Sequence, residues 1–217
     1  MADLDAVYAQ RFTDREAAAK VRIWAEIARH LQRWLPRDGA ILEIACDRGD
    51  FIRHIRARDR WASDVRDVSA QLPPGIHFIQ ADGRALLDSL PAGGFDGIFM
   101  SNYLEHLPSS DAVIDQLRVC AGLLRPGGRV VILQPNIRLT GAAYWDFIDH
   151  RTPLTERSLA EAASIAGFRT VALMTRFLPY TTKSRLPSHP LLVRWYLAFR
   201  PAWRLLGRQT LYVGERR

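Results

Sequence analysis

The sequence predicts an α/β fold built on an open, mostly parallel sheet, and three observations predict it. The run Ile41-Leu42-Glu43-Ile44 suits a strand covered on both faces, followed by small or turn-forming residues at Ala45, Asp47 and Gly49 and by helical spacing in Phe51-Ile52-Arg53-His54-Ile55. Strand, small-residue loop and helix form the unit that holds a nucleotide-like ligand at the carboxyl edge of such a sheet. An acid, Asp64, ends the next apolar run 21 positions after Glu43, the spacing at which a carboxylate meets ribose hydroxyls. Short strand-like runs then alternate with longer amphipathic stretches through the rest of the chain.

The chain of 217 residues is expected to form one domain with a core that needs no staples. We divide it into a helical cap over residues 1–38, a ligand-binding core over 39–178, and a basic apolar insertion with the last strand over 179–217. The apolar fraction of 48% and charged fraction of 24% are those of a soluble globular protein. Cys46 and Cys120 lack metal-ligand spacing and imply no disulfide framework, so no metal and a reducing compartment are expected. Residues 1–5 are acidic and lack an apolar signal core, and no apolar run is long enough to span a bilayer. A cytoplasmic protein is the expectation. The net charge of +7 is uneven: from Arg176 onward nine basic residues stand against one acid, Glu215.

In order along the chain, Asp14 to Leu35 reads as an amphipathic helix. Thr13 or Asp14 caps it, Ala17, Val21, Trp24, Ala28, Leu31 and Leu35 share a face, and Pro36 ends it. Strands follow at 60–65, 76–80, 95–102 and 129–136, with a helix over 111–124 stopped by Arg125-Pro126-Gly127-Gly128. A helix over 155–166 ends at Gly167, a sixth strand covers 168–177 and a last one 209–214. Residues 181–207 form a long insertion with one or two apolar, Arg-studded helices.

Several of these segments, in order, resemble class I S-adenosylmethionine (SAM)-dependent methyltransferases. Residues 43–49 resemble the family's acidic-x-Gly-x-Gly-x-Gly loop, with Glu43 at the acidic position, Gly49 at the third glycine, and Ala45 and Asp47 replacing the other two. Asp64 matches the ribose-binding acid, Asp82-Gly83 the acid that meets adenine, and Ser101-Asn102 through Leu104-Glu105-His106-Leu107 the turn beside the reacting methyl. Leu-Leu-Arg-Pro-Gly-Gly-Arg at 123–129 is a further match. The resemblance implies a Rossmann-like class I methyltransferase fold: seven strands, mostly parallel, the last reversed, with helices on both faces. It also implies SAM contacts at Glu43, Ala45, Cys46, Asp47, Gly49, Asp64, Asp82, Gly83, Ser101 and Asn102.

Charge supports SAM over a dinucleotide. Asp47 would lie beside two phosphates of NAD, whereas SAM carries a sulfonium and an amine. Asp tolerates the positive φ a glycine would adopt, so the loop is expected to bind, with Asp47 touching the amino-acid part of SAM. His106 and His150 are the candidate general bases, against a packing role for each. Tyr144, Trp145 and Phe147 are an aromatic wall for the acceptor or simply packed.

The insertion interleaves Leu191, Leu192, Trp195, Tyr196, Phe199, Trp203, Leu205 and Leu206 with Arg194, Arg200, Arg204 and Arg208. Such a segment suits an anionic membrane surface through 185–208, or a lid or dimer contact; nucleic acid ranks last. The expected activity is methyl transfer to a small-molecule or glycan acceptor, a hydroxyl first, in surface-polysaccharide biosynthesis, at the inner face of the membrane. A non-catalytic SAM-fold scaffold is the alternative.

Overall fold

The computed structural model describes residues 14–180 and 189–217, with side chains from Lys20 onward. The expectations placed on residues 1–13, on the side chains of Asp14 and Ala17, and on Lys183, Arg185 and Pro187 lie outside the described residues.

Seven strands form one sheet: β1 (Ala40–Ile44), β2 (Asp59–Asp64), β3 (His77–Gln80), β4 (Phe95–Ser101), β5 (Leu124–Pro135), β6 (Phe168–Met174) and β7 (Gln209–Arg216). Their order is β3-β2-β1-β4-β5-β7-β6. All neighbours pair in parallel except β7, which runs antiparallel to β5 and β6. The helices are α1 (Asp14–Leu31), α2 (Ser110–Leu123), α3 (Ile137–Thr140), α4 (Glu156–Ile165), α5 (Pro190–Ala198) and α6 (Arg200–Leu206).

The two-residue period of the strands sorts the core into two layers. Ala40, Leu42 and Ile44 of β1, with Val130 and Ile132 of β5, face one layer together with Leu117 of α2 and Leu159 of α4. Ile41, Val131 and Leu133 face the other, closed by Ala28 and Leu31 of α1, Leu197 of α5 and Trp203 of α6. Central strands buried on both faces are why the sequence reads there as near-continuous apolar runs. Ring contacts tie α1 to the sheet and to the insertion: Trp24 meets Phe99 of β4 edge-on at 6.0 Å, and His30 meets Phe177 at 5.5 Å and Trp203 at 5.8 Å.

Three expectations are corrected. Phe51 to Ile55 does not open a helix. Successive turns run over residues 47–54, with Gly49 N–H donating to Cys46 O at 2.7 Å and Ile55 N–H to Phe51 O at 3.1 Å. Two i→i−4 bonds form here, Arg53 N–H to Gly49 O and Ile55 N–H to Phe51 O, but they do not propagate into a regular helix before the amides of Arg58 and Asp59 bond back to Gly39 O at the start of β2. Phe51, Ile52 and Ile55 spend their helical spacing on burial, Phe51 stacking on Phe99 at 3.7 Å. Second, β5 begins at Leu124 and carries Arg125–Gly128 as an irregularity in its pairing with β4, with Gly127 at φ 74°. Third, β6 stops at Met174 because Phe177 turns into the core, its N–H donating to Gln209 O at 2.7 Å.

Candidate active site at the carboxyl edge of the sheet

The loop after β1 adopts left-handed backbone at alternate positions: φ is 55° at Ala45, 49° at Asp47 and 66° at Gly49. These are the positions that the resemblance aligns with the three glycines of the loop pattern. The turn is left-handed at all three although two of them carry side chains, at a conformational cost of about 1–2 kcal/mol for Ala45 and less for Asp47. Gly49 is required twice over, by its φ and because a Cβ there would lie 2.3 Å from Leu72 Cδ2.

Hydrogen bonds from β2 hold this turn. Cys46 N–H donates to Ser63 O at 3.0 Å and Asp47 N–H to Asp64 Oδ2 at 3.0 Å. Asp64 Oδ1 accepts from Arg66 N–H at 3.0 Å and Arg66 Nε at 3.2 Å. The Asp47 carboxylate lies between two cations, Arg66 Nη2 at 3.0 Å and Lys20 Nζ of α1 at 3.3 Å; Lys20 also reaches Asp50 at 3.4 Å. Glu43 is placed differently. It is buried, its Oε2 accepts Ile52 N–H at 2.8 Å, and burial raises its pKa well above the usual carboxylate value. It fastens the turn from beneath. Cys46 is likewise buried, and burial raises its thiol pKa.

At the neighbouring strand tips, Asp82 is exposed, accepts Arg84 N–H at 2.9 Å, and is held below the usual carboxylate range mainly by the Arg84 side chain. Gly83 is buried beneath Tyr103 and Gln116, whose side chains share a 2.9 Å hydrogen bond. Asn102 takes φ 49° as β4 ends, donating its backbone N–H to Leu133 O at 3.0 Å and its side chain to Ser101 Oγ at 3.1 Å.

Beyond Asn102 the chain presents Glu105 and His106, and the segment after β5 brings His150 to meet them. The rings of His106 and His150 lie 5.1 Å apart, and Phe147 stacks on His150 at 5.0 Å. His106 Nδ1 is 3.1 Å from Asp149 O and 3.5 Å from Asp149 Oδ2. A carbonyl only accepts, so Nδ1 carries a proton. Glu105 is 1% exposed; burial raises its pKa, opposed by His106. The backbone amides of Arg151 and Thr152 bond to Glu105 O at 2.8 and 3.0 Å, which fixes the two segments together. Of the expected aromatic wall, Tyr144 is buried with its hydroxyl donating to Thr152 O at 2.6 Å and its ring tilted against His150 at 4.7 Å, Phe147 stacks on His150 at 5.0 Å, and Trp145 is 53% exposed. The closeness of Glu105 to His150 had no signal in the sequence, where 44 residues separate them.

A 3-2-1-4-5-7-6 sheet with a left-handed loop after β1 and acids at the tips of β2 and β3 defines a class I SAM-dependent methyltransferase. Residues 11–173 match the family model described as "Methyltransferase domain", and the chain belongs to that family. No curated protein matches it. Among solved structures it is similar to a SAM-dependent methyltransferase from Archaeoglobus fulgidus, at 18% identity and TM-score 0.65, covering 88% of this chain and 93% of that one. It is also similar to a SAM-dependent methyltransferase from Mesorhizobium loti (18% identity, 86% and 95% covered, TM-score 0.61) and to the N-methyltransferase NodS from Bradyrhizobium japonicum in complex with S-adenosyl-L-homocysteine (13%, 88% and 86%, 0.61).

SAM is the cofactor, and the side chains present suit it. Asp82 is exposed and would offer an acceptor to an amino group; Asp64 is buried with both oxygens already accepting, so a hydroxyl would share them; Asp47 and Lys20, paired with each other, would offer one charge of each sign to an amino acid moiety. Bound there, SAM supplies an electrophilic methyl group on a sulfonium.

Proposed function

We propose that this methyltransferase alkylates a hydroxyl of a small-molecule or glycan acceptor, and that Glu43, Ala45, Cys46, Asp47, Gly49, Asp64, Asp82, Gly83, Ser101 and Asn102 form the cofactor side of its site. Asp64 and Asp82 make direct contact; Glu43, Cys46 and Gly83 act from inside by shaping the loops. The observation that carries the acceptor reading is the His106–His150 pair, with Asp149 engaging His106 Nδ1, which leaves Nε2 as the nitrogen to act as a base. A sugar hydroxyl is a poor nucleophile until its proton is accepted, and a neutral imidazole accepts it near neutral pH. An amine acceptor needs no such base once deprotonated.

The insertion supports a lipid-linked acceptor, as in surface-polysaccharide assembly. On α5 and α6, Trp195 is 73% exposed and Leu205 81%, with Leu191, Leu192 and Phe199 also exposed beside Arg194, Arg200 and Arg204. Apolar side chains bracketed by arginines suit the headgroup region of an anionic membrane, so the protein works at the inner face of the membrane as a peripheral partner. Among the described residues no helix is long and apolar enough to cross a bilayer.

The test is transfer of labelled methyl from SAM to a panel of nucleotide sugars, lipid-linked sugars and small amines. Label in a sugar hydroxyl, lost with His106→Ala or His150→Ala, supports the reading; label only in amines refutes it. Co-flotation with anionic but not neutral vesicles, abolished by Trp195→Asp with Leu205→Asp, supports the membrane contact.

A further inference from the structure

We propose that Glu105, His106 and His150 form a divalent transition-metal site, for Zn2+ or Mn2+, that holds the acceptor oxygen beside the methyl donor. One donor atom from each of the three side chains lies within 4.8 Å of the other two. Donors bound at about 2.0–2.2 Å around one ion stand roughly 3–3.5 Å apart, so small side-chain rotations close the set. The chemistry of the donors is selective: two imidazoles and a carboxylate suit Zn2+ and Mn2+, whereas Mg2+ and Ca2+ want oxygen ligands throughout.

Two further observations point to a cation. Glu105 Oε2 is buried and makes no hydrogen bond of normal geometry among the described residues, although the neighbouring Gln134 side chain, like His106, favours its charged form. A buried carboxylate oxygen left so costs free energy unless a cation or donor reaches it. His106 has the outer arrangement of a metal-binding imidazole, Nδ1–H held by Asp149 and Nε2 directed elsewhere. The fixed tautomer costs nothing extra when Nε2 binds a metal. Three protein ligands also leave open positions, which catalytic metal sites need and purely structural ones fill.

This inference rests on the hydroxyl-transfer reading and replaces its base: with Nε2 on the metal, His106 holds the ion and does not itself take the acceptor proton. A metal-held hydroxyl ionises near neutral pH, its proton leaving to solvent. The oxygen's electron pair then forms the C–O bond while the C–S bond breaks and its pair returns to sulfur; the metal keeps its oxidation state. The second oxygen of a vicinal diol takes another open position, so sugar diols are the favoured acceptor class.

The experiment measures metal and cofactor separately. Protein stripped with a chelator is titrated with MnCl2 and with ZnCl2 by calorimetry, and bound Mn2+ is followed by electron paramagnetic resonance. One equivalent is expected, weakened more than about tenfold by Glu105→Gln and by His150→Ala, and about tenfold by Asp149→Asn, a positioning change. His150 is partly exposed, so His150→Ala tests the site even where Glu105→Gln fails to fold. S-adenosylhomocysteine binding in the same variants stays within about twofold of wild type, which separates metal loss from unfolding. Absence of stoichiometric binding, or binding that His150→Ala leaves unchanged, overturns the site. Methyl transfer to a hydroxyl by the stripped protein overturns the metal and leaves the base reading standing. Metal bound at the triad with no hydroxyl methylated supports the site and fails the acceptor reading instead.

Discussion

Asp64 accepts the backbone N–H of Asp47 at 3.0 Å, so the tip of β2 pins the left-handed turn that follows β1. Asp64 is thereby tied to the shape of the loop as well as to the ribose role proposed for it. Its other oxygen is held by Arg66, which also bridges to Asp47. Replacing Asp64 with Ala removes both supports. S-adenosylhomocysteine affinity is expected to fall at least about tenfold by calorimetry, the loss of roughly one charge-assisted hydrogen bond. Unchanged affinity would mean that neither support matters to the cofactor.

Ala45 is the position where the loop departs furthest from what its backbone wants. With φ at 55°, glycine relieves about 1–2 kcal/mol of steric cost and gives back about 0.4–1 kcal/mol through the freer unfolded chain. Ala45→Gly is expected to stabilise the fold by about 0.5–1 kcal/mol in chemical denaturation. Destabilisation would show that the methyl group makes a packing contact worth more than the strain.

Gly83 behaves in the opposite sense. Its φ is ordinary, yet an added Cβ would sit 2.6 Å from Tyr103 Oη and 2.8 Å from Gln116 Oε1. Gly83→Ala must push apart a hydrogen-bonded pair, and a loss of about 1–3 kcal/mol in stability is expected. A neutral outcome would mean that the tip of β3 shifts freely.

His30 makes the packing of α1 on the insertion sensitive to acid. Its pKa is lowered to about 4 by burial, then by Arg33 and Arg200. Arg33 Nη2 lies 2.9 Å from Nδ1, a contact that suits only the neutral ring. The unfolded chain takes up this proton near 6.5 and the folded one only near 4, so the unfolded state binds more protons between these values. The stability is therefore complete above about 6.5 and is lost as pH falls toward about 4. His30→Gln is expected to flatten that part of the melting-temperature profile; an unchanged slope would assign the acid sensitivity to other groups.

The order of the elements was legible because each strand and helix carries its own period and its own stop. Leu123 to Arg129 stops a helix by chemistry any chain would obey, and the acid at Asp64 follows from one spacing. What was hidden depended on distance through space. The sequence of Phe51 to Ile55 has helical spacing, but in the fold that spacing serves burial in successive turns, with isolated i→i−4 bonds that do not propagate. Glu43 looks like a ligand contact in a motif; only its burial and its bond to Ile52 N–H show it fastening the turn. The pairing of Asp47 with Lys20 and Arg66, and the meeting of Glu105 with His150, join segments far apart in the chain, and no local pattern announces either.

We expect the cofactor to lie across the tips of β1, β2 and β4 with its reactive end toward His106 and His150. A crystal structure with S-adenosylhomocysteine tests it most directly. Ribose hydroxyls are expected on Asp64, the amino acid moiety beside Asp47 and Lys20, and the sulfur facing the His106–His150 pair. A ligand whose sulfur faces away from both histidines, or an Asp64 that keeps only Arg66 and Asp47 as partners, would contradict it.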